Sequence, residues 1–164
     1  MAGVELKGSC HCGTVRFTVN SSSPAPYALC TCSICRKCGG YGGSVNLGGH
    51  ANSLKVLQGK EVISIYHAVM DRDTPEEHRA TSERHFCSKC GSMLWVYDKQ
   101  WPELIHPFAA AIDSELAVVE EMSICRADSK PAWVRLPEGK KQVYDMYPPD
   151  SLEGWHKKHG LWVE

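Results

Sequence analysis

The chain has 164 residues, enough for one ordinary domain with a core of its own. Apolar residues make up 43% and charged residues 23%, a globular balance rather than a disordered one. The formal net charge is -1 and no run of Lys or Arg is longer than two, which argues against a nucleic-acid binder; the short apolar stretches argue against a membrane span.

In chain order, Thr14 to Val19 alternates strictly, with Val15, Phe17 and Val19 on one face, and predicts a strand. Val62 to Tyr66 and Met93 to Tyr97 are β-branched and aromatic, as strands tend to be, and Ala117-Val118-Val119 is a further candidate. The polar stretch from Asp71 to Glu83 reads as a long loop holding one helical turn. Thr74 can cap that turn, Pro75 suits its first position, and Glu77 can reach back to the cap. Asp150 or Ser151 can cap a helix from Leu152 to His159, which is basic in its last turn and ended by Gly160. Leu152 and Trp155 are expected to pack inward, closing the core together with Trp162. Gly and Pro punctuate the gaps. The expectation is a mainly β body with a short C-terminal helix, a single domain over residues 1–164.

Nine cysteines are a large excess for this length, and the count is odd. Met1 to Lys7 lack the apolar core of a secretory signal, so a cytoplasmic, reducing setting is expected. There, metal ligation or catalysis explains thiols better than disulfides do.

Cys10-His11-Cys12-Gly13 offers two thiols one residue apart, and Cys87-Ser88-Lys89-Cys90-Gly91 offers a C-x-x-C knuckle. Zinc takes four tetrahedral ligands and binds thiolates well. Each pair is followed by Gly, which allows a tight turn that aims backbone N–H groups at sulfur. One zinc on Cys10, Cys12, Cys87 and Cys90 would fasten the N-terminal strand to the middle of the chain. His11 is read as a non-ligand whose side chain faces away.

Cys30-Thr31-Cys32-Ser33-Ile34-Cys35 supplies three more thiols. Three protein ligands leave one zinc position open, the pattern of a catalytic site. Three thiolates around a divalent ion leave one net negative charge. Such an ion is a mild Lewis acid, better suited to an exchangeable thiolate or an adduct oxygen than to activating water. Arg36 and Lys37 follow directly and could offset that charge or hold a substrate carboxylate. Cys38 could instead close a four-cysteine cage, which would make the site structural. The run from Cys32 to Cys38 also matches the start of a bacterial-ferredoxin cluster motif, but the chain continues Gly39-Gly40-Tyr41-Gly42 and offers no fourth ligand. Cys125 is isolated and reads as a core or surface thiol. The glycines from Gly39 to Gly43 lack a phosphate-loop ending and suggest close backbone approach near the metal.

Gly8-Ser9-Cys10-His11-Cys12-Gly13, Cys30-Thr31-Cys32-Ser33-Ile34-Cys35-Arg36-Lys37 and Phe86-Cys87-Ser88-Lys89-Cys90-Gly91-Ser92 together resemble the glutathione-dependent formaldehyde-activating enzyme family, whose domain centromere protein V also carries. The tail Trp155 to Leu161 resembles a subgroup of it. The resemblance implies a β-tent fold of small sheets meeting around zinc. It implies a structural zinc on Cys10, Cys12, Cys87 and Cys90, and a catalytic zinc on Cys30, Cys32 and Cys35. It also implies carbon–sulfur lyase chemistry on glutathione adducts. A base would then be needed for the adduct hydroxyl, with His85 and His67 as candidates, and Arg84 is a candidate carboxylate partner. The alternative is a non-catalytic, zinc-stabilised protein-interaction module; an iron–sulfur redox protein is the third reading.

Overall fold

The computed structural model describes residues 3–163. In chain order the strands are β1 (Val4–Ser9), β2 (Arg16–Ser21), β3 (Ala28–Cys30), β4 (Ser44–Asn46), β5 (Gly49–His50), β6 (Lys55–Gln58), β7 (Ile63–Met70), β8 (His78–Cys87), β9 (Met93–Tyr97), β10 (Leu104–Pro107), β11 (Glu121–Cys125) and β12 (Lys140–Val143), with helices α1 (Ser33–Gly39) and α2 (Leu152–Lys158). The protein is mainly β, with three small sheets ordered β1-β2-β6, β5-β10-β9-β8-β7 and β12-β11-β3-β4. The first two are antiparallel. The third is mixed: β11 runs parallel to both β12 and β3, and β3 is antiparallel to β4. This is the β-tent arrangement expected from the resemblance. Among the described residues, no helix is long and apolar enough to cross a membrane.

The alternation around Phe17 works as expected, although the strand begins two residues later than predicted. Val15, Phe17 and Val19 are buried and join Leu6, Leu94, Trp95 and Ile105 in one core between the first two sheets. Phe17 meets Trp95 edge to face, with ring centroids 5.0 Å apart. Such a pair contributes about 0.5–1.5 kcal/mol beyond its buried area. β9 covers the predicted Met93–Tyr97, and β7 takes up the predicted Val62–Tyr66 from Ile63 onward.

Three expectations need correction. Ala117-Val118-Val119 is not a strand, and Val118 is fully exposed at 100%. The strand starts at Glu121, where β3 and β12 offer pairing partners; pairing overrides the propensity of an isolated β-branched run. The long polar loop is only the 71–77 connection, because the chain from His78 onward pairs with β7. The capping groups act inside that connection without making a helix: Thr74 Oγ1 accepts from Glu76 N (3.2 Å), and the Glu77 carboxylate accepts from Asp73 N (3.0 Å). Third, α2 forms with Ser151 Oγ accepting from Gly154 N at 3.0 Å, but Trp155 is not its inward residue. His156 is, at 3% exposure, on the same face as Leu152 four residues earlier. Trp155 instead stacks on His159, its own partner four residues on, with centroids 4.0 Å apart.

Burial holds His50, His85 and His106 below the ordinary imidazole value. A group depressed in the fold gives stability that is complete above its unfolded value, about 6.5, and is lost as pH falls toward the folded value. We expect His106→Asn, which can still donate toward the Leu47 carbonyl (3.3 Å from His106 Nδ1), to flatten the loss of Tm between pH 7.5 and 5.5. An unchanged slope in thermal melts would remove His106 from the acid response.

Candidate metal centres

Two clusters of thiols form: the first joins two distant parts of the chain, and the second comes from one short stretch. In the first, the sulfurs of Cys10, Cys12, Cys87 and Cys90 all lie within 4.8 Å of one another. The turn after β1 brings Cys10 and Cys12 together, with Gly13 N donating to Cys10 O at 2.9 Å. The turn after β8 does the same for Cys87 and Cys90, with Gly91 N donating to Cys87 O at 2.8 Å. Gly13 (φ +72) and Gly91 (φ +75) both take the left-handed conformation these turns need. Val15 N donates to Cys10 Sγ at 3.2 Å, and His11 N donates across to Ser92 Oγ at 2.9 Å, linking the two turns.

Tetrahedral Zn–S bonds of about 2.3 Å place sulfurs about 3.8 Å apart. Cys10 and Cys12 sulfurs are 3.4 Å apart, and Cys12 and Cys87 are 3.9 Å apart, so the donor set fits the ion. Cys10 and Cys87 are buried, while Cys12 and Cys90 face outward. The Ser92 hydroxyl pulls the Cys90 thiol down to about 5, and the Thr14 hydroxyl lowers Cys12. Burial pushes Cys87 up to about 11, which marks it as a thiol that a metal must help to deprotonate. His11 is exposed and lies outside the cluster.

The second cluster joins Cys30, Cys32 and Cys35, again within 4.8 Å. Cys30 ends β3, and Cys32 projects to the same side because it lies two residues on in extended chain. Cys35 comes from the first turn of α1, where Cys32 is the cap residue and its sulfur accepts from Cys35 N at 3.3 Å. Cys30 and Cys35 also donate to Cys32, which holds that sulfur far below the usual thiol range. Cys30 is pushed up by its neighbours Cys125 and Cys32, and Cys35 by Cys30 and Cys32. The three thiols thus pull one another in opposite directions, with Cys32 drawn down and Cys30 and Cys35 pushed up.

Residues 5–128 match the family profile described as "Glutathione-dependent formaldehyde-activating enzyme". The chain belongs to this family. A Halomonas elongata protein provisionally named a glutathione-dependent formaldehyde-activating enzyme is 48% identical over 159 residues, covering 95% of this chain and 97% of that one. A crystal structure of a Rhodobacter sphaeroides protein superposes with a TM-score of 0.53 at 26% identity, covering 66% of this chain and 89% of the other.

In this formaldehyde-activating family member, Cys38 lies outside the three-sulfur cluster. It sits one turn further along α1, where burial pushes its thiol up while Arg84 beside it pulls the other way. Gly43 (φ +149) lets β4 start against β3, since a Cβ there would collide with the carbonyl oxygen of Cys30.

Three supports of this cluster receive no role from the sequence. Cys125 pairs in parallel register with Cys30 and is buried beside Cys30 and Cys35 rather than isolated. Thr31, at 0% exposure, clamps the ends of β3 and β11: its N donates to Cys125 O (3.0 Å) and its Oγ1 to Arg126 O (2.8 Å). Arg126 takes a left-handed backbone (φ +58) to make that turn, pairs with Asp128 at 3.1 Å, and lies over the Tyr147 ring. Only the parallel pairing of β11 to β3 could have revealed them.

The sequence candidates fall differently. Arg36 spends its guanidinium on main-chain carbonyls, donating to Thr31 O and to Ser129 O (2.6 Å), so it braces the ligand loop. Lys37 is exposed on α1. Arg84 is 7% exposed and reaches Cys35 Sγ at 3.8 Å. His85 is its neighbour on β8 and so points to the opposite face. There it stacks on Trp95 and meets Glu83 Oε2 at 3.1 Å, with 15% of its side chain exposed. That placement turns His85 away from the cluster that Arg84 touches, and it gives no support to the proton-accepting role expected from sequence. His67 faces Ala80 O at 3.1 Å across the β7–β8 hairpin.

Proposed function

We propose that this protein is a zinc-dependent carbon–sulfur lyase that forms or cleaves S-hydroxymethyl-type adducts of glutathione or a related thiol. The observation that carries the reading is the three-sulfur cluster of Cys30, Cys32 and Cys35, with Cys38 outside it, in a chain of this family. A zinc ion bound there supplies a mild Lewis acid with one position open to a substrate sulfur or oxygen. In the cleavage direction the C–S bond breaks and its electron pair stays on sulfur. The carbon keeps its oxygen as a carbonyl, and the hydroxyl proton leaves to solvent.

The chain's residues prepare that exchange. Thr31 and Arg36 hold the ligand loop rigid. The paired β3 and β11 keep Cys30 and Cys125 side by side. Lys37, exposed beside the ligand turn, is the cation open to a glutathione carboxylate. The four-cysteine cluster has no open position and is structural in this proposal. Nine free cysteines among the described residues support a reducing, cytoplasmic setting.

Cobalt substitution tests the open position directly, because cobalt reports its coordination in visible bands. Adding glutathione is expected to change the bands of the three-cysteine site and leave those of the four-cysteine site alone. Bands that glutathione does not move would favour the non-catalytic module instead.

A further inference from the structure

We propose that Arg84 is the built-in counter-charge of the three-cysteine metal site, a positioning residue that sets how tightly the ion is held. The inference rests on zinc occupying that site. Arg84 is the one Lys or Arg side chain among the described residues that is buried, at 7% exposure. A guanidinium cannot shed its proton, so burial must be balanced by something negative. No carboxylate does this: none of the ion pairs among the described residues includes Arg84. Its Nη1 has only a long contact to Ser82 Oγ at 3.4 Å, and its buried Nε has no partner at all. Its Nη2 points at Cys35 Sγ, 3.8 Å away, and the neutral thiol of Cys38, which burial pushes up, lies beside the same guanidinium.

That orphaned charge makes sense beside a divalent ion held by three thiolates. The ion and its ligands carry one net negative charge, and the guanidinium cancels it. Hydrogen bonds and charges around first ligands tune a metal site in this way. The other nearby cations cannot substitute. Arg36 is committed to the Thr31 and Ser129 carbonyls, and Lys37 lies in solvent. The burial that makes Arg84 a good counter-charge also leaves little of it open to a glutathione carboxylate, so the proposal gives it this role in place of the substrate-binding one expected from sequence. Neutral Arg84 variants should therefore behave with opposite signs in the two metal states. Removing the charge relieves the protein when the site is empty and weakens the site's hold when it is full.

The test starts from fully loaded protein and follows release of the second metal equivalent to a competing chelator, with cobalt bands reporting each site. Arg84→Met is expected to weaken the three-cysteine site by about 10–100-fold. The four-cysteine bands should stay in place, which shows that the variant is folded. With only the four-cysteine site loaded, Arg84→Met should melt at or above the wild-type temperature. Arg84→Lys keeps the charge and should hold the ion more tightly than Arg84→Met. Should Arg84→Met lose the four-cysteine signature, Arg84→Gln is compared with Arg84→Lys by the same affinity criterion.

Unchanged affinity at the three-cysteine site overturns the proposal. So does a variant that melts lower with that site empty, which is the mark of a merely structural role. A raised KM for the glutathione adduct with metal affinity intact also overturns it, by returning Arg84 to substrate binding. A wild-type protein that holds only one metal equivalent defeats the functional reading itself and is distinguishable from all of these.

Discussion

Cys32→Ser is expected to abolish turnover of glutathione adducts while leaving the fold standing. Cys32 is the thiol that its two neighbours draw downward, and it is half-buried rather than part of the main core. A serine hydroxyl fits the space but does not deprotonate to ligate zinc, so the second ion loses a ligand it cannot spare. Serine is also a good cap, so α1 keeps its first hydrogen bond. Metal content should fall from two equivalents to one. Turnover should drop by more than about 100-fold, beyond what loss of a supporting residue around a metal costs. The Tm should fall, because the ion and its hold on Arg84 are lost, but the chain should still melt cooperatively. Elemental analysis, steady-state assay and a thermal melt on one preparation check all three, and turnover that survives the substitution would end the lyase reading.

The opposite pattern is expected at Cys87. It is 0% exposed and lies in the main core beside Phe17, Leu94 and Trp95. Its cluster brings the turn of the β1–β2 hairpin against the β8–β9 connection, where a bound zinc would bridge them. Structural zinc contributes roughly 10–16 kcal/mol of apparent binding free energy in small zinc domains. That matches or exceeds the roughly 5–15 kcal/mol that separates a folded domain from its unfolded chain. Cys87→Ser also puts a hydroxyl, which does not deprotonate to ligate zinc, in place of a buried thiol. We expect a loss above about 4 kcal/mol, enough to give a chain that does not fold cooperatively. Stripping both ions from the wild type with a strong chelator should do the same. Circular dichroism on the chelated protein checks this, and a native melt without metal would show that the hydrophobic core alone suffices.

Much of this protein is visible in its residue spacing, because the features concerned are local. A C-x-C turn and a C-x-x-C knuckle, each followed by Gly, present paired sulfurs whatever surrounds them. Val15, Phe17 and Val19 declare a buried face by period alone. Ser151 and Gly160 bracket α2 through the same local backbone chemistry. Family membership follows from those motifs and their order, and the match over residues 5–128 bears it out.

The remaining features depend on which strands become neighbours and which way they face. The rise of about 1.5 Å per residue along α1 carries Cys38 about 4.5 Å beyond Cys35, and only the formed helix shows that this takes it out of the cluster. Alternation along β8 separates Arg84 from His85, yet which of them meets sulfur depends on how that sheet lies against β3 and α1. Cys125 looks isolated until the parallel pairing of β11 with β3 sets it beside Cys30. Thr31 becomes a clamp for the same reason, and Val118 stays in solvent because no strand lies ready to pair with it. Spacing along the chain could name the thiols of both clusters because neighbouring atoms are fixed by covalent geometry. Sheet register alone could choose their companions, because it brings together residues that no short stretch of sequence connects.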